Sequence, residues 1–383
     1  MERTPESPSD APYRVPSMLL LALASPLALL APQTLDRATL APIVEAALAE
    51  GETPGTVVAL VRGPDVILLE AFGLSDVATK RPMRADELFQ IGSCTKTFTA
   101  ALLTQAAAKG ELGLDDPLGQ WLDAVRELPE WVHDVTLRQI ATHTSGLPGN
   151  APNRRNRPNA PSVAEPYSIE ELYAGLGAVQ MIGAPGARWS YSNFGYGLLG
   201  HALETATGKR YEDLLRERVL APLGMTETGI TPTAEQEARL APGYWDGDFE
   251  LVPRERWHFG EICAFGGIFS SARDLARYVS ALLAKGDVGP FTDATRAVLF
   301  TPVADIQPGR RMAVGWFVDT FPGVGEVIGH GGEVDSYSSA LALVRDANLG
   351  LIVLANRGGD SAELLSRALL TKALPKLLAE APK

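Results

Sequence analysis

The sequence predicts an α/β (α+β) protein: both ends of the chain form sheet covered by helices, and the middle is helical. Three observations carry this. Residues 36–49 alternate as an amphipathic helix ending near Gly51 and lead into two short β-branched runs. Three more strand candidates and a closing helix stand near the C-terminus. Between about residues 112 and 284, helical periodicity dominates.

Taken in order, runs 56–61 and 66–70 are separated by Arg62, Gly63, Pro64 and Asp65, which is a hairpin signal. The middle carries helical patterns at 135–141, 169–176, 196–207, 211–219 and 272–284, joined by Pro- and Gly-rich loops. Residues 149–166 hold four prolines, three arginines and four asparagines, too polar for a core element, and read as a surface loop. Strand candidates follow at 326–328, 337–344 and 350–355; Asp346, Ala347 and Asn348 turn the last pair, and a helix over 362–378 closes the chain. The expected division is a discontinuous α/β domain of residues 35–111 and 296–383, a helical domain of 112–295, and a leader of 1–34.

At 383 residues, 46% apolar and 21% charged, the chain is long enough for a large core, so disorder is not the default. Its 34 basic and 46 acidic side chains give a net charge of −12, which argues against nucleic acid as a partner; the one basic stripe, Arg154, Arg155 and Arg157, is a short loop patch. Two cysteines exclude a disulfide scaffold, and without HExxH or paired CxxC the usual zinc spacings are absent, so no metal is expected. Residues 18–31 are an uncharged apolar run, too short for a stable membrane span and of the length of a signal-peptide core. The acidic Glu2, Glu6 and Asp10 before it lack the positive flank of such a signal. Secretion to the envelope or periplasm and a cytoplasmic protein with an apolar leader both stand.

The chemistry begins at Ile91-Gly92-Ser93-Cys94-Thr95-Lys96, which holds the chain's one S-x-x-K. Gly92 and Ser93 fall at a helix start, and Phe98, Leu102 and Ala106 give that helix a buried face. Ser93 and Lys96, three residues apart, then share one side of the first turn. A desolvated lysine gives up its proton near neutrality and can take the proton of a serine hydroxyl, although four-residue patterns of this kind also arise by chance. Tyr191-Ser192-Asn193 is the one Y-x-N. A tyrosine beside a Ser-Lys pair can serve as phenolate base or proton shuttle and an asparagine can hold the lysine; a loop tyrosine and a capping asparagine before a helix at 196 is the structural alternative. Gly329-His330-Gly331-Gly332 falls between two strand candidates, where glycines let a substrate approach the backbone and the Glu333 N–H could join that of Ser93 in an oxyanion hole.

The order Ser-x-x-Lys, Tyr-x-Asn, His-x-Gly resembles the serine β-lactamase and penicillin-binding protein superfamily, in its branch of class C β-lactamases, D-aminopeptidases and family VIII carboxylesterases. The likeness runs over about residues 38–375 and takes in 88–97, Ala141-Thr142-His143-Thr144-Ser145-Gly146-Leu147-Pro148, Pro222-Leu223-Gly224-Met225 and 266–275. The resemblance implies a β-lactamase-like fold, an antiparallel sheet flanked by helices plus an all-helical domain, with the site in the cleft between them. It implies Ser93 as acylated nucleophile, Lys96 as base partner, Tyr191 as proton relay and Asn193 as ligand of substrate and lysine, with no cofactor. His330 departs from the lysine of true β-lactamases and transpeptidases. A neutral imidazole binds an anionic acid less strongly, which moves the expectation toward ester hydrolysis. A D-amino-acid peptidase, a weak β-lactamase and a non-hydrolytic sensor of peptidoglycan or β-lactam are the rivals; the expected partner is a small ester or D-amino-acid-containing substrate.

Three other features read as structural. Gly195-Tyr196-Gly197-Leu198-Leu199-Gly200 matches a dinucleotide fingerprint but follows no hydrophobic strand. His143 reads as a loop histidine that bonds backbone and braces the cleft, and the Cys94 thiol as core packing. Trp189, Phe265, Trp316 and Tyr337 stand near the motifs, as pocket wall or as core.

Overall fold

The computed structural model describes residues 36–50, 53–122, 127–154, 166–246 and 251–379. The leader of 1–34 and most of the polar loop, 155–165, lie outside the described residues. The chain opens with α1 (Arg37–Glu50), hairpin β1 (Gly55–Arg62) and β2 (Asp65–Asp76), and the short β3 (Arg81–Pro82). The two-residue β4 (Phe89–Gln90) leads into α2 (Thr95–Ala108). The middle contains α3 (Leu137–Ala141), α4 (Ile169–Gly177), α5 (Asn193–Thr207), α6 (Tyr211–Leu215) and α7 (Ala234–Glu237). A small hairpin, β5 (Gly243–Asp246) and β6 (Leu251–Arg254), follows, then β7 (Phe269–Ser270), α8 (Ala272–Leu283) and α9 (Asp293–Phe300). The chain ends with β8 (Ala304–Gln307), β9 (Arg310–Met312), β10 (Phe317–Phe321), β11 (Gly325–Val334), β12 (Tyr337–Val344), β13 (Leu349–Ala355), α10 (Ser361–Lys372) and α11 (Leu374–Ala379).

Nine of these strands form one antiparallel sheet in the order β3-β2-β1-β13-β12-β11-β10-β9-β8. The two ends of the chain therefore meet in its middle, with Thr56 opposite Ala355. Strand alternation sends Val57, Ala59 and Val61 to the core shared with α2 and α8, and Val58 and Leu60 to the core under α1, α10 and α11. Both faces are covered, which is why β1 and β13 read as continuous apolar runs rather than as alternating ones.

Several boundaries differ from the sequence reading, each for a local reason. β11 does not stop at residue 328; it runs through Gly329-His330-Gly331-Gly332 to Val334, because glycine backbone still pairs with β12, as Gly331 with Ala340. The glycines lack the β-branched signature that marks a strand, so this strand was hidden. α5 begins at Asn193 rather than at 196, and its cap is Ser192, whose Oγ accepts the Gly195 N–H. Asn193 is thus the first helical residue, not the cap. The expected helix at 211–219 gives way after Leu215 to a π turn, Arg216–Leu220, and the closing helix breaks at Ala373 before Pro375. α8 falls within 112–295 yet packs on β1 and β13 with the most strongly one-sided face of the helices. α9 was not anticipated. No helix among the described residues is long and apolar enough to cross a membrane.

Candidate active site

The site is assembled where two backbones approach more closely than side chains allow. Gly92 has φ +48°, and a Cβ there would lie 2.6 Å from both Glu333 N and Glu333 O. Across the contact, a Cβ on Gly332 would lie 2.0 Å from Ile91 O. The turn Gly92–Cys94 therefore packs directly on β11, and the main chains of Ser93 and Glu333 adjoin. The Ile91 N–H donates to Ile268 O at 2.9 Å, which ties the turn to the β7 side as well.

From this turn α2 runs into the interior, with every side chain from Thr95 to Ala106 buried. Lys96 is fully buried, and its Nζ lies 3.0 Å from Ser93 Oγ, 2.8 Å from Asn193 Oδ1 and 2.8 Å from Phe265 O. Burial away from water holds its pKa well below the usual lysine value. A neutral amine has two protons and one lone pair. The two carbonyl oxygens accept only, so they take the two protons and leave the lone pair facing the serine hydroxyl.

The N-terminus of α5 supplies the facing wall. The Ser192 N–H donates to His143 Nδ1 at 3.1 Å, its hydroxyl to Pro148 O at 2.6 Å, and the Asn193 N–H to Gly149 O at 2.7 Å. Asn193 Nδ2 reaches Asn150 Oδ1 at 3.2 Å, which fixes the amide with its oxygen toward Lys96. The Tyr191 ring lies 4.3 Å from that of fully buried His143, and Lys96 Nζ is 4.9 Å from its centroid. Burial raises the Tyr191 pKa, outweighing a hydrogen bond with Ser93 that pulls it down, so the group rests as a phenol. His143 Nδ1 is an acceptor; burial keeps the ring neutral, with its proton on Nε2.

His330, on β11, is 4% exposed and turns toward the same wall, 6.3 Å from the Tyr191 ring and 5.1 Å from that of Phe317. Its Nδ1 is 2.5 Å from Gly331 O, and burial lowers its pKa to about 3. It is a neutral imidazole with no charge to offer. Gly331 points to the opposite face, where a Cβ would lie 2.9 Å from Glu363 Oε2.

Ser93, Lys96, Tyr191 and Asn193 thus converge on one point, with His330 beside Tyr191. Gly332 and Glu333 reach the nucleophile turn through their main chain, and Gly331 faces α10 instead. Two participants were missed as such in the sequence. The Phe265 carbonyl, a ligand of the lysine, comes from the turn Cys263–Phe265, and only the following Gly266-Gly267 hinted at a special backbone there. His143 was read as a brace, but its place under Tyr191 depends on a left-handed conformation, φ +56°, that sequence does not announce. The glycines of the dinucleotide-like pattern serve packing: a Cβ on Gly195, Gly197 or Gly200 would meet Ile140, Ile262 or Ala264 within 2.9 Å. The Cys94 thiol is fully buried and donates to His330 O at 3.2 Å, and burial pushes its pKa up to about 12.

The family model described as Beta-lactamase matches residues 40–374. The chain belongs to the β-lactamase family. It is 34% identical over 232 residues to Esterase EstB of Burkholderia gladioli, covering 57% of this chain and 58% of that one. It is 28% identical over 290 residues to the D-alanyl-D-alanine-carboxypeptidase/endopeptidase AmpH of Escherichia coli (strain K12), covering 71% of each. Among solved structures, the octameric penicillin-binding protein homologue from Pyrococcus abyssi superimposes with TM-score 0.76 at 26% identity, over 90% of this chain and 78% of that one. The aligned stretches span 58 to 71% of the curated relatives' own lengths. The β-lactamase-like fold is shown by these neighbours, and the family with its relatives marks the chain, at a coarse level, as a serine hydrolase.

Proposed function

We propose that the protein hydrolyses small carboxylic esters through an acyl-enzyme on Ser93, in a cleft between the sheet portion and the helical segment. One observation carries this reading: the Nζ of fully buried Lys96 lies 3.0 Å from Ser93 Oγ and is held there by Asn193 Oδ1 and Phe265 O, each at 2.8 Å, so that in its neutral form its lone pair can take the serine proton. Lys96 takes the serine proton as Oγ attacks the ester carbonyl, and the Tyr191 phenol passes a proton to the leaving alkoxide and recovers one from Lys96. The main-chain N–H groups of Ser93 and Glu333 hold the oxyanion, a contribution of several kcal/mol in comparable sites. Water then attacks the acyl carbonyl, Tyr191 and Lys96 taking its proton and returning one to Ser93 Oγ as the acyl–Oγ bond breaks and the acid leaves. Asn193 keeps the amine in place and offers its amide to the substrate.

The ester preference rests on His330. A lysine there would give a substrate carboxylate a fixed cation, whereas this imidazole is neutral and buried. The similarity to Esterase EstB points the same way, and that to AmpH keeps a D-alanyl peptidase as the second reading.

The test sets a short-chain p-nitrophenyl ester, a D-alanyl amide and a chromogenic cephalosporin side by side on wild type and Ser93→Ala. Ester turnover alone, with Ser93→Ala reduced at least about a thousandfold in kcat, is the expected result. Turnover of the amide or cephalosporin instead moves the reading to peptidase or β-lactamase, and acylation of Ser93 without turnover moves it to a sensor.

A further inference from the structure

Two adjacent serines interrupt the apolar run of β12, Tyr337-Ser338-Ser339-Ala340-Leu341-Ala342-Leu343-Val344, and both are about 1% exposed. Burying two hydroxyls in the centre of a sheet costs stability unless each has a partner. Each does, on opposite faces, as strand alternation requires. Ser338 Oγ accepts the Ala362 N–H at 3.1 Å, which ties the first turn of α10 to the sheet. Ser339 Oγ donates to Ile91 O at 2.7 Å and lies 3.1 Å from Cys94 Sγ. Ile91 and Cys94 are the residues that bracket Gly92 and the nucleophile.

Ser339 belongs to β12, which lies behind β11, the strand whose backbone packs most closely on the nucleophile turn. It sits one strand further in and reaches across β11 at Gly332, its register partner. A Cβ on Gly332 would lie 2.4 Å from Ser339 Oγ as well as 2.0 Å from Ile91 O, so the glycine is the opening through which the hydroxyl passes. The Cys94 thiol completes the contact from the other side by donating to His330 O. The Ile91 carbonyl, which also accepts the Cys94 N–H at 3.1 Å, is thereby fixed in direction. The next peptide units carry the Ser93 N–H.

We infer that Ser339 is a positioning residue for the nucleophile turn, latching it through the Gly332 opening so that the Ser93 N–H and Oγ are held against β11 in reactive register. This rests on the proposed role of Ser93. Ser339 touches no substrate; it acts through Ile91 and Cys94, and its removal should therefore lower the rate of acylation rather than substrate binding.

The experiment compares wild type, Ser339→Ala, Ser339→Cys and Ser338→Ala, the last removing an equally buried hydroxyl on the same strand but the opposite face. For each, kcat and KM are measured on the p-nitrophenyl ester, together with the rate of Ser93 labelling by a fluorophosphonate and the thermal midpoint. Ser339→Ala should lose about tenfold in kcat and in labelling rate with KM within about twofold, and Ser339→Cys, a weaker donor of similar size, should fall between it and wild type. Ser338→Ala should lower the midpoint while leaving kcat within about twofold. Unchanged kcat in folded Ser339→Ala, or equal kcat losses in Ser338→Ala and Ser339→Ala, would overturn the inference. A wild-type enzyme that neither turns over the ester nor is labelled at Ser93 sinks the functional reading itself, a result distinct from either.

Discussion

The two walls of the site are built on opposite principles. The α5 wall, Tyr191 to Asn193, contributes side chains and is held by polar contacts, the Ser192 cap and the hydrogen bonds to His143, Pro148 and Gly149. The β11 wall, His330 to Glu333, contributes mostly main chain and is held by absence of bulk, since Gly92 and Gly332 let two backbones touch. Chemistry on the first wall depends on which atoms are present. On the second it depends on which atoms are missing.

The largest expected effect falls on the second wall. Gly332→Ala places a methyl against Ile91 O and the backbone of Cys94, which cannot swing aside, and should cost about 3 kcal/mol or more in a urea unfolding experiment. Gly331→Ala, one residue away, meets only the flexible end of Glu363 and should cost less than about 1 kcal/mol. Equal losses for the two would mean that the close approach at Gly332 does not set the wall. On the first wall, Tyr191→Phe keeps the ring packed against His143 but removes the phenol, so kcat should fall about a hundredfold with the thermal midpoint little changed. A loss of stability larger than the loss of rate would make Tyr191 a packing residue instead.

The smallest effect concerns His330. Its folded pKa is about 3 against an ordinary 6.5, so between those values the unfolded chain binds a proton that the folded one refuses. Stability is therefore unaffected by this group above about pH 6.5 and falls as the pH drops below it, at up to about 1.4 kcal/mol per pH unit. Wild type should lose about 2 kcal/mol more unfolding free energy between pH 7 and pH 5 than His330→Gln, with the remaining acid loss shared by His143, whose pKa is also lowered by burial. Identical losses would show that the imidazole is not buried in its neutral form.

The same contrast explains what could be read from the residues. Ser93, Lys96, Tyr191 and Asn193 are side chains at fixed short spacings, so the α2 turn and the α5 wall were legible. So were β1, β12 and β13, whose apolar runs reflect burial on both faces. β11 was cut short at 328 because glycine pairs in a sheet without looking like a strand former. The Phe265 carbonyl and the Ile91 carbonyl were invisible, since a main-chain oxygen has no letter of its own; only the fold decides which one faces a buried amine or hydroxyl.

The pairing of β1 with β13 sets the order in which this molecule can come into being. Arg62 lies opposite Leu349 and Thr56 opposite Ala355, so the central ladder joins residues separated by roughly three quarters of the chain. Loop closure over such a distance must precede the contacts that reward it, which makes for slow folding. During synthesis the β1–β2 hairpin waits, one apolar edge open, until β13 has left the ribosome.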